Sequence, residues 1–84
     1  MHGDAIDEPE PLLTAYIEHR LARESQVLDA LAAGRATVQE VAESIYDGLN
    51  PALLPAAHET VRAHLEKLRR DGRTLVVGDR WSID

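Results

Sequence analysis

The segment PAAHETVRAHLEKLRRDG (55–72), followed by RTLVVGDRWSID (73–84), decides the fold. Between 55 and 72 Ala57, Val61, Leu65 and Leu68 recur three and four residues apart, the spacing of one helical face. Pro55 suits a first helical turn and Gly72 a stop, which predicts a helix between them. Between 73 and 84 a pair of short β-prone runs flanks Gly78-Asp79, a dipeptide suited to a tight hairpin turn.

Upstream, TVQE (37–40) has the form of a capping box. Thr37 can accept from a free backbone N–H and Glu40 can reach back, starting a short helix through Val41, Ala42, Ile45 and Tyr46. DGLNPALLP (47–55) breaks periodicity with Gly48, Pro51 and Pro55, so a loop with about one helical turn is expected there. Across residues 12–31 Leu13, Tyr16, Ile17, Leu21, Val27, Leu28 and Leu31 mark one face of a helix, with Pro9 and Pro11 tolerable only in its first turn. Gly34 stops it, giving about 25 residues or roughly 37 Å. Three helices, the first of them long, followed by a two-stranded C-terminal hairpin make a mainly α (α+β) chain in the order of a winged helix-turn-helix.

The chain has 84 residues, room for one small domain with little stability in reserve. Cysteine is absent, which removes disulfides, thiolate metal sites and a cysteine nucleophile, and suits a reducing compartment. There is no basic stretch followed by an apolar run, and no apolar segment nears the roughly 18 residues that a membrane span needs, so a cytoplasmic location is expected. The net charge of −6 is uneven. Residues 1–33 hold seven acids against Arg20 and Arg23, whereas residues 34–84 hold eight acids and seven bases. Acidity on that scale weakens the electrostatic attraction that dominates nucleic-acid binding unless a local patch restores it.

Enzyme patterns are absent. HETVRAH (58–64) begins like a zinc-binding HExxH, but that motif needs histidines four apart on one helical face. His58 and His64 are six apart and point about 120° away from each other. The glycines are too scattered for a phosphate loop, and no GxSxG elbow surrounds Ser25, Ser44 or Ser82. No catalytic residue and no cofactor is assigned to this chain.

Two surfaces remain. Opposite the apolar stripe of the third helix stand Glu59, Ala63, Glu66 and Arg70, a face whose acids oppose a groove-reading role. Arg62, Arg69, Arg70 and Arg73 are the candidates for nucleic-acid contact, or else an ordinary cationic helix end that complements the dipole. On the first helix Arg20 and Glu24 fall in mid-stripe, where leucine is expected. If buried, such a pair needs further partners, because unpaired buried charge costs several kcal/mol. One reading is two consecutive apolar surfaces, with Val27, Leu28 and Leu31 packing into the domain and Leu12, Leu13, Tyr16 and Ile17 awaiting a partner, Arg20 and Glu24 fixing register. The other is a surface i, i+4 ion pair worth a few tenths of a kcal/mol.

AYIEHRLARESQVLDALAAG (15–34), TVQEVAESIY (37–46) and AAHETVRAHLEKLRRDGR (56–73), in that order and spacing, resemble the winged-helix domain found C-terminal to the catalytic domain in a branch of metallo-β-lactamase-fold hydrolases, which includes glyoxalase II-like proteins and endoribonucleases. The resemblance covers residues 2–74 and implies a domain over residues 12–84, preceded by an arm at 1–11 left from the catalytic domain's edge. In that family a PGHGP stretch supplies a metal ligand ahead of the linking helix. Here His2-Gly3 match its His-Gly, but Met1 and Asp4 replace the flanking glycine and proline, and the HxHxDH motif and the other ligands are missing. His2 alone cannot hold a catalytic metal, which typically takes three protein ligands.

The resemblance thus implies a non-catalytic accessory domain of a hydrolase that itself binds zinc or a similar divalent ion. Its expected role is packing against the absent catalytic domain, or self-association through the first helix, together with help in positioning substrate. The alternative is a free-standing nucleic-acid-binding regulator using the third helix and the wing.

Overall fold

The computed structural model describes residues 11–84. Helix α1 spans Pro11–Ala32, α2 Val38–Ile45 and α3 Leu54–Arg70, with a 3₁₀ turn at Pro51–Leu53 ahead of α3. Strands β1 (Thr74–Val77) and β2 (Arg80–Ile83) form an antiparallel hairpin. The expected arm at 1–11, with His2, lies outside the described residues except for Pro11, which already opens α1.

Local chemistry sets each boundary. The capping box forms in full: Thr37 Oγ1 accepts from the Glu40 N–H at 3.1 Å, and Glu40 Oε1 accepts from the N–H groups of Thr37 and Ala36. α1 and α3 end alike, each on a glycine with positive φ, +101° at Gly34 and +78° at Gly72. Gly34 donates to the Leu31 carbonyl and Arg35 to that of Ala30; Gly72 donates to Arg69 and Arg73 to Leu68. This paired pattern satisfies carbonyls that a helix end otherwise leaves open, in a backbone region where only glycine escapes a steric cost. α3 begins at Leu54, one residue before Pro55, because the 3₁₀ turn capped by Asn50 runs straight into it.

The core sits where α1, α2, α3 and β2 meet. It holds Val27, Ala30 and Leu31 from α1, Val41 and Ala42 from α2, Val61, Leu65 and Leu68 from α3, and Trp81 from β2. Each large side chain buried there contributes roughly 1.5–3 kcal/mol. Two polar links hold the hairpin to this core. Thr74 Oγ1 donates to the Leu65 carbonyl at 3.2 Å, and the Trp81 N–H donates to the Ala36 carbonyl at 2.7 Å. The register pairs Val76 with Trp81 and Val77 with Arg80, so Thr74, Val76 and Trp81 share the inner face. The core takes only the C-terminal half of α1, and the apolar side chains of the other half stay exposed.

Candidate docking surface on the first helix

The uncovered half of α1 carries large apolar side chains. Leu12 is 80% exposed, and Leu13, Tyr16, Ile17 and Leu21 range from 59% down to 40%. At 100° per residue Leu13 and Ile17 lie on the same side of α1 as Val27 and Leu31, so the exposed and buried apolar stretches share one side of the helix, with Arg20 and Glu24 between them. Leu12, Leu13, Ala15, Tyr16 and His19 line a shallow open depression at its far end.

Arg20 and Glu24 stand where the stripe passes from covered to uncovered. Arg20 remains 44% exposed at its side chain, while that of Glu24 is 7% exposed. Their closest approach is 3.8 Å, from Arg20 Nε to Glu24 Oε2. The same oxygen lies 3.6 Å from Lys67 Nζ on α3 and accepts no hydrogen bond. A surface i, i+4 pair therefore does not describe it: the carboxylate is buried between two cations, one of them from another helix. Sequence reasoning required partners for Glu24 without naming Lys67, since nothing in the local pattern shows how α3 crosses α1.

The surroundings are polar and layered. Lys67 also donates to Asp71 Oδ2 at 2.7 Å, and that bond holds the Asp71 carboxyl below its ordinary range. His64 is half-buried; burial first, then the neighbouring cations Arg23 and Arg20 and the His19 ring, pull its imidazole below the ordinary value, against the attraction of Glu24. Arg23 lies over the Tyr46 ring, 4.9 Å from its centroid, and donates to Gln26 Oε1. This contact ties α1 to the end of α2.

The arginine candidates are dispersed and partly engaged. Arg69 Nε donates to Glu66 Oε1 at 3.1 Å, while Arg62, Arg70 and Arg73 are exposed. Glu59 on the same outward face of α3 is exposed too. Glu40, beside a polar cleft with Arg35, Glu43 and Asp47, is committed to the capping box; the Ala36 and then the Thr37 N–H hold its carboxyl below the ordinary range. His58 is half-buried, with Nε2 enclosed and unbonded. Among the described residues no group of three or more His, Cys, Asp or Glu is placed to hold a metal, and no helix is long and apolar enough to cross a membrane.

Comparison with known proteins places this geometry. The family model for the beta-lactamase associated winged helix domain matches residues 37–81, which hold α2, α3 and most of the hairpin. The Beta-lactamase-like protein 2 homolog of Drosophila melanogaster is 33% identical over 78 residues, covering 89% of this chain and 27% of that protein. The chain thus spans about a quarter of the length of the curated relative it matches. No solved structure matches. With α2, α3, most of the hairpin and their share of the core in the matched region, the chain belongs to the beta-lactamase associated winged helix domain family.

Proposed function

We propose that this winged helix is a non-catalytic accessory part of a β-lactamase-fold hydrolase, acting by packing. The first half of α1 lies against the hydrolase domain through Leu12, Leu13, Tyr16 and Ile17, and Arg20 and Glu24 fix the register of contact. The position so fixed places the domain beside the substrate mouth, where it helps orient substrate. The divalent metal belongs to the hydrolase domain, held by that domain's own side chains.

The observation that supports this reading is the apolar stripe of α1, which continues past the edge of the core with Leu12, Leu13, Tyr16, Ile17 and Leu21 left in solvent. Covering such side chains is worth roughly 1.5–3 kcal/mol each when complete, which is large beside the 5–15 kcal/mol stability of a typical domain. The test joins this chain to a β-lactamase-fold hydrolase domain and introduces Leu13→Asp with Ile17→Asp. The expected result is a lower unfolding midpoint for the joined protein and faster amide exchange along residues 12–21. An unchanged midpoint and unchanged exchange would overturn the reading.

A further inference from the structure

We infer that the groove at the C-terminal end of α1 binds a small phosphate monoester, its phosphate held by Arg35 and Arg80 and its apolar stem covering Trp81. This goes beyond the packing role of α1, whose open half stands at the other end of the helix. Leu13 and Leu31 are about 27 Å apart along its axis.

The groove follows from how the chain leaves α1. Gly34, with its φ of +101°, turns the backbone out of the helix, and two residues later the Ala36 carbonyl accepts from the Trp81 N–H. That bond ties the crossing segment to β2. The residues that flank it, Arg35 on one side and Arg80 and Ser82 on the other, meet along a groove of about 390 Å³. Leu31, Ala36 and Trp81, each 7% exposed, supply its apolar floor. Val77, 81% exposed and paired with Arg80 in the hairpin, adds an apolar rim. The volume falls in the lower range of small-molecule sites, which join an apolar wall to a few placed polar groups.

Charge selects an anion. The chain carries −6 overall, yet among the described residues the lining of this groove holds two arginines and no acid. Arg20, Arg23, Lys67 and Arg69 are each engaged by another side chain of the domain. Among the described residues neither Arg35 nor Arg80 makes an ion pair or a side-chain hydrogen bond. The neighbouring acids stand outside the groove. Glu40 feels the charge of Arg80, but its carboxylate accepts from the Ala36 and Thr37 N–H groups. Glu43 and Asp47 border a separate polar cleft, and Asp79 is exposed in the hairpin turn.

The donor set narrows the anion. A single guanidinium fork already fills a carboxylate, whereas a phosphate monoester, with two charges and three terminal oxygens, accepts from two guanidiniums and a hydroxyl together. Arg35, Arg80 and Ser82 are such a set. The floor adds the second requirement. Inorganic phosphate leaves Leu31, Val77 and the exposed part of Trp81 in water, and a short aromatic or aliphatic stem on the phosphate covers them.

Trp81 is the only tryptophan of the chain, so its fluorescence reports on the groove directly. Phenyl phosphate titrated into the full 84-residue chain should change that emission saturably, with a dissociation constant of about a millimolar. The backbone amide resonances of Gly34, Arg35 and Ser82 should move along the same curve, a readout independent of the indole. Inorganic phosphate should bind about tenfold more weakly, and benzyl alcohol, the ring without the charge, should not saturate. Arg35→Gln and Arg80→Gln should each weaken phenyl phosphate binding about fivefold or more while leaving the unfolding midpoint unchanged. No saturable change with phenyl phosphate overturns the site. So does equal binding of benzyl alcohol or of inorganic phosphate, or a curve that both arginine replacements leave in place. None of these results bears on the docking of α1, which the joined-protein experiment reads separately.

Discussion

Lys67 Nζ lies 3.6 Å from Glu24 Oε2, so a side chain of α3 reaches the carboxylate buried in the middle of α1. This contact sets the border between the half of α1 that the domain covers and the half that it leaves open. Replacing Lys67 by methionine leaves Glu24 with only Arg20, and a cost of about 1–2 kcal/mol is expected, less than the 3–5 of a fully buried pair because Lys67 is a third exposed. Glu24→Leu removes the charge as well as its need and should be neutral or stabilising. Urea unfolding of both variants checks the contrast; equal losses would show that the carboxylate itself is stabilising.

Val61, Leu65 and Leu68 are fully buried on α3. Leu65→Ala should cost about 3 kcal/mol, and in a domain of this size that lowers the thermal midpoint by well over 10 °C, read by circular dichroism.

The capping box makes a separable contribution. Thr37→Ala should cost about 1 kcal/mol through the lost bond to the Glu40 N–H. Glu40 has a carboxyl held below its ordinary range in the folded state, so its contribution is present above the unfolded value and is lost as pH falls through the folded one. Urea unfolding of Glu40→Gln should therefore show a shallower loss of stability below about pH 4.5 than the wild type.

His64 acts from the other side of the scale. Burial lowers its folded pKa, so below the ordinary value near 6.5 the unfolded chain binds the extra proton first and stability declines as pH falls. His64→Gln should flatten the stability profile as pH falls below about 6.5, measured by urea midpoints; an unchanged slope there would assign that decline to other groups.

Most of the fold was legible because it is written in local signals. The capping box, the glycine stops and the two-residue turn at Gly78-Asp79 each depend on residues a few positions apart, and the structure realises them where the sequence sets them. The stripe Ala57, Val61, Leu65 and Leu68 is buried throughout. The stripe of α1 predicted its face, and the charged pair in mid-stripe led to the reading in which Val27, Leu28 and Leu31 pack inward; the structure packs those three against the core and leaves Leu12, Leu13, Tyr16 and Ile17 exposed. The place of Glu24 as an anomaly was legible; Lys67 as its partner was not, since helix crossing is a long-range property. For the arginines of α3, sequence shows the cluster, and only the fold shows Arg69 already bonded to Glu66.

The bond from the Trp81 N–H to the Ala36 carbonyl joins residues 45 positions apart, and the indole it anchors seals the core. A growing chain that has emerged only as far as β1 therefore owns all three helices but no closed interior. Until the second strand arrives, the side of the core that Trp81 covers stays open, and chaperones or protease have their best opportunity in that interval.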